Sequence, residues 1–111
     1  MAAPLDDGEW LALGGLLRAM MRADGRISIR EHRMVAELVQ ALGPKLWESL
    51  AFAERELTSE ALVFAQAERV RRPASRAIIR DAIVRMAGSD GIAAEEQALL
   101  DRLDALWAAS R

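Results

Sequence analysis

The 111-residue chain contains no cysteine and no tyrosine, one histidine and only three prolines. Without cysteine it cannot form disulfides, thiolate zinc sites or thiol nucleophiles. Scarce proline and abundant Ala, Leu, Glu and Arg favour helices, and no run of alternating β-branched residues indicates a strand. The sequence also lacks a Ser-His-acid arrangement, a glycine-rich phosphate loop and an HExxH motif, so no common catalytic motif points to an enzyme.

Long apolar runs are missing as well. No run approaches the roughly 20 residues that a membrane-spanning helix needs. The N-terminal segment MAAPLDDGEW lacks the basic region and apolar core of a signal peptide. We therefore expect a soluble, cytoplasmic protein without a transmembrane segment. Fifteen basic and seventeen acidic residues give a net charge of −2, which by itself does not indicate a nucleic-acid partner.

Apolar residues recur at helical spacing in five segments clearly and once weakly, in LTSEALVFAQAERV. Asp6 or Asp7 is the expected N-cap of the first helix, and Thr58 or Ser59 that of the weak one. Gly43 ends one helix, and Pro44 lies near the first turn of the next. The short connections predict a compact, single-domain all-α bundle over residues 1–111.

A repeat becomes visible when these segments are aligned. An offset of 66 residues places Asp24 on Asp90, and after the following glycine an offset of 65 places Glu31 on Glu96. A helix, an Asp-Gly turn and a second helix therefore occur twice, with one residue deleted in the second turn. The two repeats cover about residues 11–42 and 76–107, with middle helices at about 44–70.

The stretch ADGRISIRE resembles half of an EF-hand loop, because Asp24 fits loop position 5, the next residue is glycine, and Glu31 fits position 12. Positions 1 and 3 would then be Met20 and Arg22, which cannot bind calcium. An EF-hand proper is excluded. The alternative is a capped turn, in which glycine ends one helix and Ser28 with Glu31 forms a capping box for the next.

The paired segments RAMMRADGRISIREHRMVAELVQALG and DAIVRMAGSDGIAAEEQALLDRLDALW resemble the TerB-like family of tellurite-resistance and stress proteins. The resemblance covers most of the chain, from about Leu11 to Trp107. It implies an all-helical fold and a non-enzymatic module of a bacterial stress-response system, working with partner proteins.

The resemblance also implies a divalent cation as a candidate ligand. The matching acids are Asp24, Glu31, Asp90 and Glu96. The deletion after Gly91 changes the spacing of the second copy, and arginines at positions 26 and 30 place positive charge inside the first turn. No cofactor is certain.

Other candidate binding residues are basic or aromatic. Between residues 66 and 85, six arginines face two acidic residues, a net charge of +4. The arginines are Arg69, Arg71, Arg72, Arg76, Arg80 and Arg85. They form either a solvated face paired with acidic neighbours or a surface for a protein partner, and no interleaved aromatic residue favours nucleic acid. Trp47 and Trp107 are expected in the core, whereas Trp10 is expected to be partly exposed as an interface anchor.

Three functions from different classes remain open at this point. The first is a stress-associated module that binds a divalent cation through the four acids. The second is a metal-free adaptor or scaffold subunit that uses the arginines and exposed apolar residues, and a homo-oligomer is also open. The third is a small acid–base enzyme using His32 and Glu31.

Overall fold

The computed structural model describes residues 4–22, 29–88 and 94–109, which form six α-helices and no strand. The helices are α1 (Asp7–Arg22), α2 (Ile29–Leu42), α3 (Lys45–Glu56), α4 (Glu60–Glu68), α5 (Pro73–Ala87) and α6 (Ala94–Ala109). The predicted compact all-α fold is confirmed, including the weakly predicted α4. Both predicted Asp-Gly turns lie outside the described residues. None of the described helices is both long and apolar enough to span a membrane.

Helix α1 is the centre of the bundle, packing against α3, α4 and α5. Its buried residues occupy almost every position of the middle two turns, including Leu13, Leu16 and Leu17. A helix that is apolar on most of its surface is expected to be surrounded by other elements. This explains why α1 carries adjacent glycines, Gly14 and Gly15, where its neighbours approach closely.

Helices α1 and α3 run in the same direction and approach each other most closely at Gly14. Lys45 at the start of α3 is bonded to Asp7 at the start of α1, with 2.7 Å between Nζ and Oδ1. At the crossing, a Cβ atom added to Gly14 would lie 2.4 Å from the carbonyl oxygen of Ser49. Because that neighbour is backbone, only glycine permits this approach.

Helices α4 and α5 cover other sides of α1, and α6 packs against α4 and α5. Gln66 of α4 donates from Nε2 to the carbonyl of Gly8 at 3.1 Å, near the start of α1. The Nε1 atom of Trp107 on α6 donates to the carbonyl of Ala67 at 2.9 Å. The guanidinium of Arg102 on α6 lies 4.0 Å from the ring centroid of Phe64 on α4. Helix α4 is therefore held between α1 and α6.

The helix ends agree with the predicted caps. Asp6 accepts from the backbone N–H of Glu9 at 2.8 Å, and Glu9 accepts from the N–H of Asp6 at 2.9 Å. This reciprocal pair is a capping box. Ser59 caps α4 by accepting from the N–H of Leu62 at 3.2 Å. Gly43 has a φ of 116°, the left-handed conformation that commonly follows a helix and favours glycine.

Glu9 also links α1 to α5. Its buried carboxylate accepts from Arg72 Nε at 2.9 Å and from Arg72 Nη2, which in turn donates to the Pro4 carbonyl at 3.0 Å. The Arg72 guanidinium lowers the pKa of Glu9 to about 2, aided by hydrogen bonds from Asp6 and Ser75 and against the opposing effect of burial. The N-termini of the two helices are thus joined by an ion pair between a buried carboxylate and a half-exposed guanidinium.

Candidate functional site

The predicted acidic site is only partly within the described residues. Asp24 and Asp90 lie outside them. Glu31 and Glu96 lie in the first turns of α2 and α6, where they are 3% and 6% exposed. In the described ranges, no group of three His, Cys, Asp or Glu side chains is arranged to hold a metal ion. A complete site would need donors from outside those ranges, and metal binding stays a prediction.

The acid–base pair proposed from the sequence occupies two different environments. Glu31 is buried, whereas the next residue, His32, is exposed on the same helical turn. A general base and its partner need hydrogen-bond reach to one substrate atom. The difference in burial does not favour that arrangement.

Most arginines of the basic window make contacts within the chain. Arg72 pairs with Glu9, as described above. Arg76 donates to the carbonyls of Val70 and Trp107 at 2.7 and 3.2 Å, and its guanidinium lies 5.4 Å from the Trp107 ring centroid. Arg80 donates to both carboxylate oxygens of Asp104, at 2.8 and 3.0 Å.

The remaining arginines of the window are also exposed. Arg85 lies 3.3 Å from Asp81 one turn earlier on α5. Arg69 and Arg71 are exposed in the connection between α4 and α5. Since Arg72, Arg76 and Arg80 hold helices together, Arg69 is the member of the predicted partner-binding set that is best placed for an outside contact.

Two of the three tryptophan predictions are wrong. Trp10 is 3% exposed and lies in the core, because it continues the apolar stripe of α1 three residues before Leu13. It is therefore not partly exposed as the sequence predicted. Trp47 is 54% exposed although the sequence predicted it in the core, because it is rotated about 100° from its buried neighbour Leu46. The prediction for Trp107 is confirmed, since it is 7% exposed.

The outward surface of α3 carries two large apolar side chains. We call it the α3 face and define it as Trp47, Glu48, Ala51, Phe52 and Arg55. Trp47 and Phe52 form its two edges and are 54% and 52% exposed. Arg55 covers part of one edge, with its guanidinium 4.9 Å from the Phe52 ring centroid. The sequence contains both aromatics, but their rotation away from the buried side of α3 was not recognised.

A groove of about 480 Å³ borders the Phe52 edge of this face. Its apolar lining includes Trp10 and Leu11 of α1, and its rim includes the Lys45–Asp7 ion pair. The hydrogen bond and charge of Lys45 hold the pKa of Asp7 below its usual range. An apolar recess beside an exposed ring, with charges at the edge, is the usual anatomy of a protein-binding surface.

A second groove, of about 520 Å³, lies between α1, α4 and α6. We call it the α1–α4–α6 groove. Its apolar lining consists of Gly15, Ala19, Leu57, Val63, Ala98 and Leu99. Arg18 and Arg22 of α1, Ser59 and Glu60 of α4, and Glu95 and Arg102 of α6 complete the lining. Arg18 and Arg22 are four residues apart, a spacing that places both on one helical face and is visible in the sequence.

Comparison of the chain with protein-family models, with curated proteins and with solved structures finds no match.

Proposed function

We propose that the chain is a non-catalytic adaptor that binds another protein through the α3 face. The observation that carries this proposal is the half-exposure of Trp47 and Phe52 on one helix. Tryptophan and other aromatic residues are enriched among the residues that dominate binding energy at protein interfaces. The charged pair of Lys45 and Asp7 lies at the rim of the neighbouring groove, and interface rims are usually polar.

The exposed parts of the rings are large enough to contribute to binding. An aromatic side chain buries about 150–250 Å² in full, so covering the exposed half of each removes about 100 Å² from water. At about 25 cal/mol per Å², each ring contributes about 2.5 kcal/mol before the costs of association. Two such anchors and a surrounding rim suit a partner of moderate affinity.

The resemblance to TerB-like proteins suggests the setting of this adaptor. Six helices in the order described agree with an all-helical module, and the doubled Asp-Gly sequence is the feature that carries the resemblance. On this basis we place the chain in a cytoplasmic, stress-associated bacterial complex. Arg72, Arg76 and Arg80 then serve mainly to hold the helices together.

Site-specific photo-crosslinking in the source cells tests this proposal. A photoreactive amino acid at Ala51, in the middle of the α3 face, should give a discrete adduct with a partner protein. The same amino acid at Ala36, exposed on α2, is the matched control and should not give that adduct. Identical adducts from both positions, or none from Ala51, would count against the α3 face. An adduct with a second copy of the chain would identify the partner as the chain itself.

Divalent-cation binding is a second candidate, favoured by a different observation. Glu31 and Glu96 occupy matching positions of the two sequence copies, and both are buried. Carboxylate oxygens are ligands that divalent cations such as Ca²⁺ and Mg²⁺ take in proteins. Melting temperature should be measured with Ca²⁺, Mn²⁺, Mg²⁺ and Zn²⁺, for the wild type and for Asp24→Asn with Asp90→Asn.

Metal at 100 times its dissociation constant should stabilise the wild type by about 2.7 kcal/mol. The shift should be absent from the double variant if the aspartates are ligands. No shift with any of the four ions would remove this candidate and leave the adaptor proposal unaffected.

A further inference from the structure

The base of the α1–α4–α6 groove is apolar because Leu57 and Val63 lie there against Gly15. A Cβ atom there would lie 2.6 Å from Leu57 Cδ1 and 3.4 Å from Val63 Cγ2. The missing side chain lets these two residues pack directly onto α1. Leu99 of α6 is half-buried on the opposite wall. The volume of about 520 Å³ falls within the usual range of small-molecule sites, about 300–1,000 Å³.

The positive charges of the groove are concentrated at the C-terminal end of α1. Arg18 and Arg22 lie one turn apart on the same face of α1. Arg18 is only weakly engaged, because its Nη2 atom lies 3.9 Å from Oε1 of the exposed Glu54. Arg22 is exposed at the last residue of the helix.

The third arginine of the groove has a different role. Arg102 lies 3.3 Å from Glu60 and is stacked on the Phe64 ring. It therefore forms part of the wall, and its charge is largely balanced by Glu60. Positive charge is available at one end only, next to an apolar base that extends towards Gly15.

We propose that the α1–α4–α6 groove binds a linear amphiphile with one carboxylate head, such as a medium-chain fatty acid. The head lies between Arg18 and Arg22, where two guanidinium groups can donate charge-assisted hydrogen bonds to it. The hydrocarbon tail covers the partly exposed Leu57 and Leu99 and removes their remaining apolar surface from water. This site is separate from the α3 face and does not depend on the proposed adaptor function.

One residue of the lining opposes this ligand. Glu95, in the first turn of α6, places a second carboxylate at the rim. Because Glu95 repels the ligand head, the proposal predicts opposite changes in affinity for two variants. Removing the charge of Arg22 should weaken binding, whereas removing the charge of Glu95 should strengthen it.

Titration with decanoate, followed by amide chemical shifts, tests the proposal. The wild-type chain should bind decanoate saturably, with the largest shifts at Gly15, Val63 and Leu99. Arg22→Gln should weaken binding about tenfold, the loss of one charge-assisted contact. Glu95→Gln should strengthen it about threefold, and Arg69→Gln, which removes an exposed charge outside the groove, should leave it unchanged. Decyltrimethylammonium is the cationic control, and butyrate is the short-chain control.

Three results would overturn the proposal. The first is the absence of saturable decanoate binding to the wild type. The second is equal binding of decyltrimethylammonium or butyrate, which would show that the carboxylate or the tail is not recognised. The third is an affinity that is the same in Arg22→Gln and Glu95→Gln as in the wild type, or shifts that occur outside the groove.

Discussion

The buried carboxylate of Glu9 and the guanidinium of Arg72, 63 residues apart in the chain, form a bidentate pair that joins the start of α1 to the start of α5. Glu9 is 4% exposed, and its carboxylate has two roles. It pairs with Arg72, and it also accepts from the backbone N–H of Asp6 in the capping box. Arg72 therefore serves the fold, although the sequence suggested it as part of a partner-binding surface.

Glu9→Gln should destabilise the protein in a pH-dependent manner. The pKa of Glu9 is lowered to about 2 in the folded chain from an ordinary value near 4.5. Its contribution to the free energy of unfolding is therefore fully present above about pH 4.5 and lost as the pH falls towards 2. We expect a loss of about 2 kcal/mol at pH 7, allowing for the partial exposure of Arg72.

Urea denaturation at pH 7 and at pH 2.5 measures this effect. The difference between wild type and Glu9→Gln should shrink at the lower pH. Asp7→Asn, which removes an exposed pair with Lys45, is the control and should cost less at pH 7. A difference for Glu9→Gln that is the same at both pH values would contradict the proposed ion pair.

Gly14→Ala should destabilise the protein by about 2–3 kcal/mol, in the upper range for overpacking. The added Cβ would lie 2.4 Å from the carbonyl oxygen and 2.7 Å from the carbonyl carbon of Ser49, so α1 and α3 must move apart. Gly88→Ala is the matched control, because no atom lies within 4 Å of its added Cβ and its φ is −78°. The control should be neutral or stabilising by up to about 1 kcal/mol. Equal thermal stability of the two variants would refute the close crossing.

Trp47 should be the tryptophan that is accessible to quenchers. It is 54% exposed, whereas Trp10 and Trp107 are 3% and 7% exposed. Acrylamide should therefore quench one component of the native fluorescence strongly, and Trp47→Phe should remove that component. If Trp10→Phe removes it instead, the assignment of α1 to the centre of the bundle is wrong.

The Arg80–Asp104 pair should contribute little to stability despite its bidentate geometry. Both side chains are nearly half exposed, and such pairs are typically worth under about 1 kcal/mol. A double-mutant cycle with Arg80→Gln and Asp104→Asn measures the coupling energy at pH 7. Arg80 lowers the pKa of Asp104, so the coupling should decline only as the pH falls below about 4. A coupling energy above about 2 kcal/mol would contradict this estimate.

Helix positions and ends were largely predictable because they depend on local sequence. Apolar spacing identified all six helices, and the ends followed from residues with one dominant local role, such as Ser59 and Gly43. The weak pattern of α4 has a physical cause. That helix is held between α1 and α6 and buries Val63 and Phe64. The preceding apolar residue, Leu62, is 44% exposed, so the apolar residues of α4 do not form a single buried stripe.

Long-range partners and exact helix rotation were not predictable. Nothing near Glu9 in the sequence indicates that its partner is Arg72. Trp47 was misassigned because it follows a buried leucine directly, and one residue is enough to turn a side chain to solvent. For Trp10 the signal was present, since the residue continues the spacing of the α1 stripe, but its place near the chain start was given more weight.

The most direct test of the adaptor proposal uses the partner protein that photo-crosslinking at Ala51 identifies. Calorimetric titration measures the affinity of this partner for the wild-type chain and for three variants. The first combines Trp47→Ser with Phe52→Ser, the second Arg69→Gln with Arg71→Gln, and the third Asp24→Asn with Asp90→Asn. We predict that the first variant binds at least about tenfold more weakly than the wild type, while the other two bind as the wild type does. Unchanged binding by the first variant, with loss in either of the others, would contradict the assignment of binding to the α3 face.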